Sequence, residues 1–525
     1  MMIDGRNVPS GSTVEADLCI VGAGAAGISL ALEFANRAGV TVALVESGGR
    51  EWDERTQQLS KAEVKGQPYF PVIETHLRVL GGTTLAYGGI CTELTPLDFE
   101  ERPWVPESGW PLRKDALEPY TERANELLGV DYGNDEESVW ERTAATTWES
   151  VLVSRPPLRF GKKYAPDLDR ARNVTTYLHS TVTNLELHPD GGHISGAAVK
   201  CIGGNSYRIV AKHYVLAGGG IEVPRLLLAS NDVAKAGIAN EHDHVGRYFQ
   251  EHLRAVDRYK ISRHTKPLTD QIVGASGKLR FSRITLTEET LRKEQMLNYL
   301  ANLTFGFAGQ DSPQWKAVFR IVVASKPPWN VKPYSPTITG GLNKVRWEDV
   351  KTALTRPDKS IASVLGAGFR PRFLRRWVEV GSSIEQVPRR ENRVALVPEK
   401  DELGMPLIDL HWSLDDLEKR TYYRGRELVL TELDRHFPGL SAQRMNEPEQ
   451  WPDHIIGTWH HMGTTRMSDD PKRGVVDADT KVHGVDNLFI ASSSVFPTSG
   501  ATAPTKSIVI LALRLGEHLS RLLGK

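Results

Sequence analysis

Residues Asp17–Glu46, DLCIVGAGAAGISLALEFANRAGVTVALVE, constrain the fold more than any other stretch of the chain. Leu18–Val21 is an apolar run of the length of a buried strand. Gly22, Gly24 and Gly27 follow in a GxGxxG pattern, Ala25–Arg37 has helical spacing, and Thr41–Val45 reads as a second buried strand ending at Glu46. A glycine triplet between a strand and a helix is the setting in which this motif holds a dinucleotide. Gly22 permits the tight turn, Gly24 admits a pyrophosphate to the backbone, and Gly27 lets the helix lie against the strand. The helix N-terminus offers N–H groups and partial positive charge to the phosphates, and Glu46 is placed to accept from ribose hydroxyls. The motif does not by itself choose among NAD, NADP and FAD.

At 525 residues the chain exceeds one ordinary core, so two domains are expected. Lys plus Arg equals Asp plus Glu at 65 each, which excludes a global field directed at nucleic acid. Cys19, Cys91 and Cys201 are far apart and lack metal-ligand spacing, so no metal site and a reducing compartment are expected. The first sixteen residues carry no apolar core, and Ile508–Leu515, the most apolar stretch, is broken by Arg514. A cytoplasmic protein without a secretory signal or transmembrane segment is therefore expected.

The polar segment 47–67 is expected to wrap the first unit. Leu77–Pro96, containing RVLGGTTLAYGGICTELTP, is too rich in Gly and Thr for a stable helix or a regular strand, and its small residues suit a backbone lying against a flat ligand. Leu117–Leu128 is helical in spacing. Val174–Val215 alternates as strands with turns at 189–192 and 203–205, and Tyr214–Ala217 then leads through Gly218–Gly220 into a helix near Val223. This second strand–glycine–helix crossing returns the chain to the nucleotide sheet. Strands are expected near Ile384–Leu396 and a helix at Leu414–His436. Trp315–Trp377 holds thirteen Lys or Arg against three Asp or Glu. That imbalance reads as a solvated face, or as a contact for an anionic partner, a membrane surface or a neighbouring subunit. At the C-terminal end stand GTWHHMGTTRM (457–467), a strand candidate at Asn487–Ala491, a small-residue loop at Ser492–Thr502 and a helix from Pro504.

In this combination the chain resembles the glucose–methanol–choline (GMC) family of FAD-dependent oxidoreductases, closest to its bacterial pyranose and glycoside oxidase-like branch. The carrying motifs are DLCIVGAGAAG with VESG, RVLGGTTLAYGG with SGWP, VLAGGGIEVPRLLL, HHMGTTRM, and GVDNLFIASSSVFPTSG with the APT-initiated helix. They run in family order from residue 17 to 519. The resemblance implies an α/β chain, α+β overall, in which a Rossmann-like FAD-binding domain carries an inserted mixed-sheet substrate domain. The FAD domain would comprise residues 15–251, with a flavin loop at 77–96 and the return crossing at 214–230, and again 451–525 with the catalytic histidine. The substrate domain would occupy 252–450, with the basic segment 315–377 inserted in it.

Residue by residue, the resemblance implies that Gly22, Gly24, Gly27 and Glu46, with Ser47 beside it, hold the ADP half of FAD. Gly81, Gly82, Thr83, Thr84, Tyr87 and Gly88, within Gly81–Gly89, would line the isoalloxazine ring. Val182 would meet the adenine end and Ala217–Gly218 the diphosphate. Ala491, Ser492 and the helix starting at Pro504–Thr505 would cap the flavin pyrimidine, where a helix N-terminus stabilises negative charge at N1 and O2. His460 matches the catalytic histidine, a base suited to removing a hydroxyl proton as hydride leaves carbon for flavin N5. His461 is expected to line the wall or face away, as neighbours in an extended strand point oppositely.

Two positions depart from the family. Ala503 stands where a second His or Asn precedes Pro-Thr, which removes a hydrogen-bonding anchor of about 0.5–1.5 kcal/mol. Either Thr502, His461 or a water substitutes, or the site is weakened. Leu85-Ala86-Tyr87 replaces the Thr-His-Trp that bonds flavin covalently in pyranose oxidases, so a noncovalent flavin is expected. Glu385 and Gln386 are the substrate-side candidates. The expected activity is oxidation of a hydroxyl of a sugar, glycoside, related polyol or similar alcohol to a carbonyl, with O2 or a redox carrier as electron acceptor. The alternative is a flavin-binding partner or scaffold with lost or weak turnover. A nicotinamide enzyme leaves the C-terminal motifs unexplained. Nothing in the sequence specifies an oligomeric state.

Overall fold

The computed structural model describes residues 1–130, 143–152, 157–262, 280–310, 312–324, 346–368, 372–445 and 450–524. Its main sheet takes strands in the spatial order Met2–Asp4, Val174–Leu178, Val42–Val45, Thr13–Val21, Ser206–Leu216, Ile194–Lys200 and Thr181–Leu187. Leu488–Ile490 adds in parallel beside the far end of Ser206–Leu216. Val42–Val45 and the end of Thr13–Val21 are apolar without alternation, as parallel strands buried on both faces must be, and Leu18–Ile20 and Val42–Val45 are buried throughout. Helix Ala25–Phe34 covers one face and packs against the C-terminal helix Thr505–Leu522.

Register lines up the carboxyl ends of four strands. Val21 stands opposite both Val45 and Leu216, and Leu216 opposite Ile490. The chain leaves these ends at Glu46, Gly22, Ala217 and Ala491, so sequence segments hundreds of residues apart open onto one rim. Ligands of open α/β sheets bind there because the strand ends and the following helix N-termini converge. Gly22 and Gly27 are sterically enforced. A Cβ on Gly27 would lie 1.9 Å from the Gly22 carbonyl oxygen, and Gly22 itself has φ +106°.

A second sheet is antiparallel, in the order Leu253–Lys260, Arg375–Ile384, Tyr299–Phe307, Arg280–Leu286 and Thr146–Leu152. The long helix Asp416–His436 backs it, and a Cβ on Gly425 of that helix would meet the Tyr299 ring. Its last strand crosses the boundary expected from sequence. Thr146–Leu152, within the span 15–251, pairs with Arg280–Leu286 because its partners for hydrogen bonding lie there. A third sheet joins Arg393–Lys400, Pro406–Trp412 and, in parallel, Ala62–Gly66, so the stretch after the first unit stitches the two halves together.

The glycine-rich stretch 77–96 has only a 3₁₀ turn at Gly82–Leu85, in keeping with its composition. No strand covers 385–392, where sequence pattern suggests one; Arg375–Ile384 ends at the position before Glu385. Within the basic segment, helices Pro313–Ala324, Trp347–Thr355 and Pro357–Gly368 pack together, while 325–345 and 369–371 lie outside the described residues. Among the described residues no helix is long and apolar enough to cross a membrane.

Gly27→Ala is expected to lower the unfolding free energy by about 1–3 kcal/mol, the usual effect of overpacking a close contact. Urea denaturation checks this, and an unchanged midpoint would refute the enforced helix–strand approach.

Candidate active site

The rim of the main sheet opens into a cavity of ≈ 1530 Å³ of empty space, its opening to solvent included. Three helix N-termini reach it: Gly24 and Ala25 of the first helix, Gly218–Gly220 of Gly219–Ala229, and Pro504–Thr505 of the C-terminal helix. Each contributes orphan N–H groups and partial positive charge to the same volume. Glu46 is buried, and its carboxylate accepts from Ala23 N–H at 2.9 Å and Gly48 N–H at 2.8 Å. Burial pushes its pKa up, with the two backbone donors opposing.

His460 and His461 also line this cavity, and a mismatch between two strands puts them there. Gln250 bridges Met462 and Arg254 bridges Ile456 in antiparallel fashion, leaving residues 251–253 opposite residues 457–461. The longer side must bulge. The buried Glu251 carboxylate fills the bulge, accepting from the backbone N–H of Thr458 (3.0 Å), Trp459 (2.7 Å), His460 (2.7 Å) and His252 (3.0 Å). The Tyr69 hydroxyl donates to the same carboxylate and lies 3.1 Å from His461 Nε2. Trp459 takes φ +67°, a left-handed conformation that is uncommon outside glycine and is held here by these bonds. The backbone at 459–460 is therefore not an extended strand, which is why both adjacent histidines line the cavity instead of pointing oppositely.

His460 Nδ1 lies 2.8 Å from Nδ1 of buried His252 and 3.0 Å from the Thr458 hydroxyl. His252 Nε2 is 3.1 Å from the Ser499 carbonyl oxygen. Burial lowers the pKa of His252 to about 4 and carries that of His461 well below the usual histidine value. Near Leu77, burial would raise the pKa of Glu222, but Arg78, Arg225 and His76 outweigh that and hold it well below the usual carboxylate range. Arg78 pairs with it at 2.6 Å, and His76 Nε2 lies 3.1 Å from it.

Residues 388–512 match the family model described as GMC oxidoreductase. Along nearly its whole length the chain is 23% identical to 2-methyl-1,2-propanediol dehydrogenase of Mycolicibacterium austroafricanum, covering 97% of this chain and 96% of that one. It is 24% identical to 6'''-hydroxyparomomycin C oxidase of Streptomyces lividus, covering 96% and 91%. The C-terminal part of the chain is thus similar to GMC oxidoreductases. Pyridoxine 4-oxidase of Mesorbium loti shares its fold, with a TM-score of 0.58 at 17% identity over 96% of this chain and 99% of that one.

The similarity to GMC oxidoreductases points to FAD as the cofactor. The protein's own geometry fits that group. A Cβ on Gly24 or Gly219 would meet nothing within 4 Å, so the backbone faces open space at two helix N-termini suited to a diphosphate. Of the residues expected from sequence to hold FAD, the cavity is lined by Gly22, Gly24, Glu46, Ser47, Gly82, Thr83, Thr84, Tyr87, Val182, Ala217, Gly218, Ala491, Ser492, Pro504 and Thr505. Gly27 stands behind this wall against Gly22, and Gly81 supports it through its N–H bond to the Ala23 carbonyl. Gly88 is not among the lining residues.

The substrate-side candidates sit elsewhere. Glu385 is buried in a bidentate pair with Arg102, at 2.8 and 2.5 Å, and accepts from Asn298. Gln386 accepts from Glu251 N–H and Trp412 Nε1–H and donates to the Ser413 carbonyl. Their polar atoms are engaged inside the protein, and neither lines the cavity. The Thr502 hydroxyl contacts that of Thr92 and also lies outside the lining. Sequence reasoning passed over Glu251, His252, His76, Glu222 and Trp459. The polar run Gln250–Glu251–His252 between Phe249 and Leu253, all buried, was the available signal.

Glu251→Leu is expected to lower stability by more than about 3 kcal/mol, because several buried N–H groups lose their acceptor together. Tyr69→Phe removes one donor and is expected to lower it by about 1 kcal/mol. Equal urea midpoints for the two variants would show that the carboxylate does not organise the bulge.

Proposed function

We propose that this protein oxidises a hydroxyl group of a sugar, glycoside or related polyol to the carbonyl, with His460 as the general base. FAD, when bound, supplies the acceptor for the hydrogen and electron pair of the carbinol C–H bond. His460 takes the hydroxyl proton on Nε2, the ring nitrogen across from its contacts with His252 and Thr458. A neutral imidazole is matched to this step near neutral pH. His461, with Nε2 at the Tyr69 hydroxyl, acts as an auxiliary wall residue, and Thr502 is the hydroxyl-bearing residue next to Ala503 in sequence. The observation that carries the reading is the bulge that places His460 in the cavity lined by the dinucleotide motif. The named activities of two relatives aligned over nearly their whole length, on 2-methyl-1,2-propanediol and 6'''-hydroxyparomomycin C, support the substrate class.

The division of work is part of the same reading. Residues 15–251 and 451–525 would hold the cofactor and the base, and 252–450 would shape the substrate side. The flavin is proposed to be noncovalent, since Ala86 provides no nucleophilic side chain in the flavin loop.

Anaerobic mixing with a panel of sugars, glycosides, aminocyclitols and simple alcohols is expected to bleach the flavin band with a polyol. His460→Ala is expected to slow that bleaching by about 10²–10⁴-fold. An unchanged rate in this variant would remove the base assignment, and readmitted air reports whether O2 is an acceptor. Acid precipitation is expected to leave the yellow colour in the supernatant; colour retained on the polypeptide would contradict noncovalent binding.

A further inference from the structure

We propose that His252 is a positioning residue that fixes the tautomer of His460, so that Nδ1 of His460 carries the hydrogen and Nε2 presents the lone pair. The inference rests on the reading of His460 as the base. Two imidazole nitrogens 2.8 Å apart must be one donor and one acceptor. The Ser499 carbonyl can only accept, so the His252 nitrogen 3.1 Å from it, Nε2, carries a hydrogen. His252 is 1% exposed, and its burial disfavours a second proton. Its Nδ1 is thereby the acceptor, and Nδ1 of His460 the donor. Which nitrogen of a histidine is protonated is set by the hydrogen bond the other one makes.

The Thr458 hydroxyl is compatible with this assignment. It lies 3.0 Å from His460 Nδ1, and the Glu251 carboxylate at 3.2 Å accepts its hydrogen, leaving an oxygen lone pair toward His460. The rings of His252 and His460 meet edge to face, with centroids 5.0 Å apart and planes at 83°. Glu251 holds the backbone N–H of both residues, so one buried carboxylate sets the spacing of the pair. After His460 has accepted the substrate proton on Nε2, its Nδ1–H bond to His252 is unbroken, so the ring keeps its orientation while it is charged. At Ala503 the chain carries no polar side chain; His252 approaches from the start of the substrate-side sheet, immediately before Leu253.

The test uses the FAD-loaded protein as wild type, His252→Leu and His252→Gln, each labelled with 15N-histidine. Long-range proton–nitrogen spectra report which His460 nitrogen is protonated, and His460→Ala assigns the signals. Protonated Nδ1 is expected in the wild type and in His252→Gln, whose amide oxygen accepts from His460 while its N–H donates to Ser499. His252→Leu is expected to lose that signature and to bleach flavin on the order of 10–100-fold more slowly at saturating polyol, with His252→Gln recovering to within about threefold. A wild-type His460 protonated on Nε2 would overturn the proposal. So would an unimpaired His252→Leu, or equal losses in Leu and Gln, which would mark a packing role. An unimpaired His460→Ala would instead overturn the base reading, so the two failures are distinguishable.

Discussion

The buried carboxylate of Glu251 holds together what the rest of the site depends on. Five residues face three across the break between the Gln250–Met462 and Arg254–Ile456 bridges, and the excess backbone has to find hydrogen-bond partners away from water. Glu251 supplies them to Thr458, Trp459 and His460 at once. An acceptor with two oxygens suits a set of converging N–H donors, and charge-assisted bonds of this kind are among the stronger ones. The result is a bulge that keeps Trp459 in a left-handed conformation and both histidines at the cavity. Bulges recur beside active sites because they re-aim side chains.

The cofactor end is built on a different principle. Three helix N-termini and four strand ends meet at one rim, an arrangement in which backbone N–H groups rather than side-chain charge suit an anionic dinucleotide. This is consistent with an overall balance of acidic and basic residues. A charged cluster at the cavity, Glu222 with Arg78, Arg225 and His76, is largely neutralised internally. Arg78 in addition donates to Ser47 and Ser60, which ties the segment after Glu46 to the flavin loop.

Much of this was legible in the chain. The strand–glycine–helix crossings at 17–46 and 214–230 and the capped helix at 416–436 are local patterns, and local patterns survive into the fold. The assignments of Glu385 and Gln386 did not carry through, because polarity near a strand says nothing about which way a side chain faces. Both turned inward, to Arg102 and Asn298 in one case and to Glu251, Trp412 and Ser413 in the other. His461 was read through an extended-strand alternation that the bulge abolishes.

The sequence by itself determined a dinucleotide-binding α/β unit, the elements that build it, and the histidine pair near the C-terminus, since glycine spacing and apolar runs encode these over short range. Only the tertiary structure decided how the pair is presented. Glu251 and His252 lie over 200 residues from His460, and the polar run Gln250–Glu251–His252 does not by itself say which distant segment it faces. The bulge and the facing imidazoles arise when two distant strands of unequal length are forced into one register and a buried carboxylate takes up the difference.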